Sequence, residues 1–318
     1  MSVISAIIYL AGGLVILWKS ADVLVKSAVK LAERLGVSPL VIGLTVVAMG
    51  TSAPEVAASI AAALRGAGDA AVGNVYGSNI ANLALVAGLA VLIRPAHIQK
   101  RTLRYEIPIM VCAALLLWPV VANLYLSRAE GAVLLAVFAG LILLTVCTSR
   151  NKAANSLQKP DVTYQSPGTK KNVLFIVLGL AGLALGADIA VRGAVFIGYR
   201  LGLSEAVIGL TIIAVGTSLP ELATSVTASI KGQHDISIGN LVGSNIFNTL
   251  LVTGAAGLVR PFTIVSRLAG TDYWIMIIVS CAFGVAALVG RRVIGRISGT
   301  LLLCGYVAYM VYLLAYSG

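Results

Sequence analysis

An internal duplication constrains this chain more than any other feature. Shifted by 166 residues with no gap, Gly36–Pro95 matches Gly202–Pro261 at 32 of 60 positions. The matches include Pro, Glu, Asn and Thr as well as apolar residues, so a biased composition does not account for them. The best-kept blocks are Gly43–Val56 against Gly209–Leu222 and Gly73–Leu83 against Gly239–Thr249. The register reaches back to Asp22/Asp188 and Lys26/Arg192. A chain of this kind is expected to fold as two like units that share one core.

Composition says which solvent those units occupy. Hydrophobic residues are 59% of the 318 and charged residues 11%, against roughly 25% charged in a soluble domain. This excludes an ordinary cytosolic globule and a disordered chain. Ten apolar runs are long enough to cross a bilayer. They fall near 4–32, 38–64, 70–92, 105–122, 130–148, 172–201, 206–231, 236–259, 272–289 and 295–315. The expected fold is therefore an all-α integral membrane protein of ten transmembrane helices. Five spans per copy is an odd number, so the second copy enters the membrane upside down, as an inverted-topology repeat. Residues 1–150 form the first half, 151–171 a linker and 172–318 the second half. The first run has no basic segment before it and no small-residue cleavage site, so it reads as the first span and not as a signal peptide.

The charge distribution orients the chain. With the N-terminus outside, 16 Lys and Arg residues fall on the inner side and 6 on the outer. Basic residues gather in cytoplasmic loops, so both termini are expected outside a cell (plasma or inner) membrane and the 151–171 linker in the cytoplasm. The net charge of +11 is then a membrane-surface feature, with no nucleic-acid partner. Cys112, Cys147, Cys281 and Cys304 lie in apolar runs without CxxC spacing and read as core or lipid-facing residues.

Most of the twelve carboxylates have ordinary placements. Glu33, Asp69, Glu106, Glu130, Asp161, Glu205, Asp235 and Asp272 fall in or near loops, Asp69 and Asp235 as candidate helix N-caps. Asp22 and Asp188 precede Lys26 and Arg192 by four residues, the spacing of an ion pair on one helix face. Glu55 and Glu221 differ, because each lies deep inside a span with no basic neighbour in sequence. A charge there costs at least ~2.5–3.5 kcal/mol, so such residues mark an ion or substrate path.

Their surroundings are polar in the same way in both copies. Gly50, Thr51, Ser52, Pro54 and Glu55 correspond to Gly216, Thr217, Ser218, Pro220 and Glu221. Pro54 has no N–H, so the carbonyl of Gly50 loses its helical donor. Broken backbone at membrane depth is tolerated where it lines a cavity. The next span adds Ser78 and Asn82, or Ser244 and Asn248, each pair on one helix face. Gly73/Gly77 and Gly239/Gly243 allow close helix approach. Asn74 and Asn240 read either as ligands or as interhelical hydrogen-bond partners, the second being favoured. Every candidate donor is a hard oxygen, with no His or Cys, which suits Na⁺, Ca²⁺ or Mg²⁺ and not zinc or copper. Two carboxylates in a dry pocket repel unless cations or protons compensate them.

These paired segments, within 43–83 and 209–249, resemble the α-1 and α-2 repeats of the cation/calcium antiporter superfamily, in particular prokaryotic sodium/calcium exchangers. The resemblance implies four cation sites in a diamond at mid-membrane. Glu55 and Glu221 would bind Ca²⁺ with the carbonyls of Thr51 and Thr217. Flanking Na⁺ sites would use Ala48, Thr51, Ser52 and Ser78 in one copy, and Ala214, Thr217, Ser218 and Ser244 in the other, with Asn82 and Asn248 beside the centre. The first and sixth spans would slide across the core. Potassium-dependent relatives carry Asp where this chain has Asn248, so K⁺ is not expected as a substrate. The implied function is alternating-access exchange of Na⁺ for Ca²⁺. Proton/calcium exchange on the same fold is the alternative. A passive channel fits duplicated broken helices less well. A hydrolase using Ser52 or Ser218 lacks a base within the motifs, so no enzyme is expected. The expected partners are the two ions and the bilayer, with no cofactor and a chain that could work as a monomer.

Overall fold

The computed structural model describes residues 2–156, 168–202 and 214–316, together with Ile208 and Ile212. The first helix, α1 (Val3–Leu35), starts at Ser2, whose hydroxyl accepts from the Ser5 N–H at 3.1 Å, and stops at Gly36 in the left-handed region. Helix α2 (Pro39–Thr51) and α3 (Ala53–Leu64) follow, bent by 43° at Ser52. The first copy continues through α4 (Gly68–Ile93), α5 (Thr102–Val120) and α6 (Arg128–Ser156). The second copy comprises α7 (Thr169–Arg200), α8 (Ala214–Thr217), α9 (Leu219–Ile230), α10 (His234–Val259), α11 (Leu268–Val289) and α12 (Arg296–Tyr316).

Eight of these helices are long and apolar enough to cross a membrane: α1, α4, α5, α6, α7, α10, α11 and α12. The bent pair α2–α3 makes a ninth. Helices α8 and α9 stand where the sequence places the remaining span, and Gly209, Leu210 and Thr211 before them lie outside the described residues. Asp161 and Glu205 also lie outside them. The helical ends encroach on the expected 151–171 linker, since α6 runs to Ser156 and α7 starts at Thr169.

The duplicated spans α4 and α10 form the centre. In each, 72% of the most apolar window is buried, against 17–39% for the other six long helices. Sequence patterning explains the difference, because these two spans carry Gly, Ser and Asn at positions where a lipid-facing helix carries Leu and Ile. Gly239 and Gly243 bring α10 against α2. A Cβ added at Gly243 would stand 2.6 Å from the Leu44 carbonyl oxygen, and one at Gly239 2.8 Å from that of Leu40. The long helices α1 and α7 cross the outside of this centre with their backbones in contact. A Cβ at Gly13 would lie 2.5 Å from the Ala190 nitrogen, and one at Gly193 2.6 Å from the Ala6 oxygen.

Two short antiparallel ribbons cap the bundle, each tying one copy to the other. β1 (Ala96–His97) pairs with β4 (Val293–Ile294), and β2 (Tyr125–Leu126) with β3 (Phe262–Thr263). These ribbons alter the reading of Asp69 and Asp235. The N-cap positions belong to Ala67 and Gln233. Asp69 instead accepts from the Val265 N–H at 2.9 Å, and Asp235 from the Gln99 amide at 2.6 Å. Each carboxylate fastens its helix to the loop behind a ribbon of the other copy. Glu106 and Asp272, read from sequence as loop-side residues, are buried near the starts of α5 and α11 and paired with Arg101 and Arg267 at 3.0 and 3.2 Å. The same 166-residue shift relates the two pairs. The expected ion pairs Asp22–Lys26 (2.7 Å) and Asp188–Arg192 (2.8 Å) form. All four cysteines are free and exposed on the apolar surface.

Candidate cation site

The break between α2 and α3 follows from Ser52 and Pro54. Ser52 leaves the helical region, at φ −85° and ψ 7°, and Pro54 enters the first turn of α3 where its missing N–H costs nothing. The second copy repeats this at Ser218 (φ −89°, ψ 4°) and Pro220. Both breaks place a glutamate in the first turn of the following helix, Glu55 in α3 and Glu221 in α9. Free N–H groups and the positive end of the helix dipole favour a carboxylate there. Both side chains are fully buried.

The facing helices are irregular as well. The helix widens to a π-helical turn at Ala81–Val86 in α4 and at Asn248–Val252 in α10. These turns hold Asn82 and Asn248, and π-turns commonly mark functional positions. Helix α3 packs against the turn at Asn248, and α9 against the turn at Asn82, so each glutamate helix meets the asparagine turn of the other copy.

Hydrogen bonds bring the halves together. Ser52 donates to Glu221 Oε1 at 2.8 Å, and Thr51 to Asn240 Oδ1 at 3.0 Å. The Ser78 hydroxyl stands 3.5 Å from Glu55 Oε1. Ser52, Ser78, Ser218, Ser244, Thr51, Asn82, Asn248 and Ala48 are all buried. Thr217 is half-buried at the end of α8, and Ala214 opens that helix. Eight buried atoms of this group have no partner among the described residues. They are Glu55 Oε2, Glu221 Oε2, the hydroxyls of Ser218 and Ser244, and both amide atoms of Asn82 and Asn248. Leaving one such atom unpaired costs about 1–3 kcal/mol, so this concentration around the two buried glutamates is the mark of a ligand site. An oxygen-rich set with two carboxylates and no sulfur or imidazole fits hard cations.

A second set of residues holds these in place. Asn74 donates to Ser59 Oγ at 2.9 Å and to the Glu55 carbonyl at 3.3 Å, and Asn240 donates to Ser225 Oγ at 2.9 Å. Asn74 and Asn240 thus take the interhelical role read from the sequence. Ser59 and Ser225 were missed, although their identity in both copies at one register was the available signal. Replacing Asn74 by Ala should weaken apparent Ca²⁺ affinity about tenfold, the usual effect of losing an orienting contact behind a metal ligand. Ca²⁺-dependent uptake kinetics read this directly, and an unchanged half-saturation would show that Asn74 does not orient the site.

A bundle of apolar helices with broken, duplicated glutamate helices around a buried oxygen site is the build of a membrane cation transporter. The comparisons with known proteins give the family. The chain matches the sodium/calcium exchanger protein family over residues 5–147 and 171–315, and it belongs to that family of membrane antiporters. The inner membrane protein YrbG of Escherichia coli strain K12 is 37% identical over 306 residues, covering 95% of this chain and 94% of YrbG. The sodium/calcium exchanger MaX1 of Methanosarcina acetivorans is 33% identical, covering 95% and 96%. Among solved structures, the sodium-calcium exchanger NCX_Mj soaked with zero Na⁺ and Ca²⁺ superposes with a TM-score of 0.84 at 30% identity, covering 98% of this chain and all of that one.

Proposed function

We propose that this chain exchanges Na⁺ for Ca²⁺ across a cell membrane by alternating access, with Glu55 and Glu221 as shared ligands of both ions. The observation that carries this is the convergence of two buried carboxylates, from two copies of one motif, on a group of unpartnered oxygen donors. One Ca²⁺ neutralises both carboxylates, with the carbonyls of Thr51 and Thr217 completing its shell. Several Na⁺ ions do the same when held by Ala48, Thr51, Ser52 and Ser78 on one side and Ala214, Thr217, Ser218 and Ser244 on the other, with Asn82 and Asn248 beside the centre. The empty, doubly charged pocket is costly to enclose in low dielectric. Crossing therefore requires a load, which makes the process exchange and not leak.

The two halves, 1–150 and 172–318, are two inverted five-span repeats joined by a cytoplasmic 151–171 linker in this reading, with both termini outside. Inversion lets one copy open the site inward in the way the other opens it outward. The α1–α7 pair slides across the central helices between the two states. Structural likeness to NCX_Mj and family membership support this reading over a channel. Proton coupling is the second reading, because protons can also neutralise the paired carboxylates.

Two transport results test the proposal. Radiolabelled Ca²⁺ should enter Na⁺-loaded proteoliposomes at equal pH on both sides, and only with an outward Na⁺ gradient. Uptake indifferent to Na⁺ but driven by a pH gradient would move coupling to protons. Asn248 supplies no charge for an extra monovalent ion, so uptake should proceed at full rate without K⁺. Strict K⁺ dependence would contradict that assignment.

A further inference from the structure

We infer that the end of the molecule capped by the β1–β4 ribbon carries a binding site for a phosphate-bearing anion, separate from the cation site. A cavity of 430 Å³ opens there. Its polar side chains are His97, Gln99, Gln233, His234, Asp235, Arg291 and Arg292. Three separate pieces of chain supply them: the loop after α4, the turn between α9 and α10, and the turn between α11 and β4. Both histidines of the chain meet here, with ring centroids 5.8 Å apart. The Nδ1 of His234 is buried and has no partner among the described residues. The first turn of α10, a 14-residue segment before its π-turn, has no side-chain cap from Gln233 and faces the same space.

The duplication provides an internal control. At the opposite pole the β2–β3 ribbon builds the same framework. The Ile98 N–H donates to the Arg292 carbonyl at 2.8 Å here, and the Ile264 N–H to the Leu124 carbonyl at 2.9 Å there. Leu124 and Arg292 both adopt positive φ, so that backbone shape belongs to the turn. Asp235 keeps its counterpart in Asp69 and Arg94 in Arg260, but the remaining polar side chains differ. His97 corresponds to Thr263, Gln99 to Val265, His234 to Gly68, Arg291 to Asn123 and Arg292 to Leu124. The framework therefore stands without any of these imidazoles or guanidiniums, and the fold does not require them at the first pole.

Their chemistry selects the ligand. Two guanidiniums present positive charge and N–H donors, and two imidazoles and a helix N-terminus add further donors. The single opposing carboxylate, Asp235, is already engaged by Gln99 at 2.6 Å. Arg94 adds positive charge beside the cavity, with its guanidinium against the turn at Gly232. Lys231, next in sequence, is occupied by Asp22. A cation would meet this excess of positive charge, whereas a phosphate matches it. The phosphate can come from solution or from a lipid headgroup.

Thermal unfolding of the purified, full-length protein in detergent tests the site. The ligand is inorganic phosphate, with chloride at equal ionic strength as reference. We expect a saturable rise in Tm with phosphate. In the double variant Arg291→Asn/Arg292→Leu, which carries the residues of the opposite pole, half-saturation should weaken about tenfold or more. The variant should keep Ca²⁺ uptake, since neither arginine belongs to the cation site, and that activity shows it is folded. A parallel arm compares nanodiscs containing phosphatidylglycerol with nanodiscs of phosphatidylcholine alone. A shift in Tm with phosphatidylglycerol that the variant loses, without a response to inorganic phosphate, assigns the phosphate to lipid. Equal behaviour of wild type and variant in both arms would overturn the inference.

Discussion

Replacing either glutamate by Gln should abolish Ca²⁺ uptake while leaving a folded protein. Glu55 and Glu221 are fully buried, and each keeps one oxygen without a partner. The substitution preserves shape and removes one negative charge from the pair. Breaking a buried charge pairing costs about 3–5 kcal/mol, which corresponds to a loss of roughly 100-fold or more in the population of ion-loaded sites. Glu221→Gln retains an acceptor for the Ser52 hydroxyl, now at 2.8 Å from Oε1. Folding should therefore be spared, and Tm and elution volume should stay near the wild-type values. The control is Ser52→Ala, which removes a neutral donor and should reduce uptake only in part. Normal uptake by either Glu→Gln variant would remove that residue from the site.

Gly186→Val should stop exchange while sparing ion binding. A Cβ at Gly186 would stand 2.9 Å from the Leu17 nitrogen and 3.0 Å from the Gly13 oxygen, both backbone atoms of α1. Backbone cannot turn aside as a side chain can. The wedge should therefore push α7 from α1 or fix their register, at a cost of about 1–3 kcal/mol. If these helices slide during transport, turnover falls tenfold or more and equilibrium Ca²⁺ binding remains. Loss of binding and of transport together would indicate simple misfolding, and unchanged turnover would show that this contact does not move.

The cation site was more legible in the sequence than the fold that holds it. Glu55 and Glu221 stood out because an unpaired carboxylate inside an apolar run is costly, and the 166-residue register then selected their neighbours. The same register singles out Asn74 and Asn240, but spacing alone does not separate a ligand from an interhelical partner; the bonds to Ser59 and Ser225 do. The π-turns at Asn82 and Asn248 were not, because one extra residue in a helical turn leaves no distinct compositional trace. The burial of Glu106 and Asp272 is not legible, because hydropathy places a residue near a span end but does not say whether a neighbouring Arg turns back to cover it. Asp69 and Asp235 looked like caps because local spacing suggested it, whereas their partners lie 196 and 136 residues away. Contacts at that separation depend on the ribbon pairing, which two-residue strands do not announce.

The proposed exchange requires that Na⁺ and Ca²⁺ compete for one pair of carboxylates. Calorimetric Ca²⁺ titration of the purified protein at a series of Na⁺ concentrations reads that competition. Ca²⁺ binding should weaken steadily as Na⁺ rises, with unchanged capacity, and should be lost in Glu55→Gln. Ca²⁺ binding that ignores Na⁺, or that survives in Glu55→Gln, would rule out a shared carboxylate site.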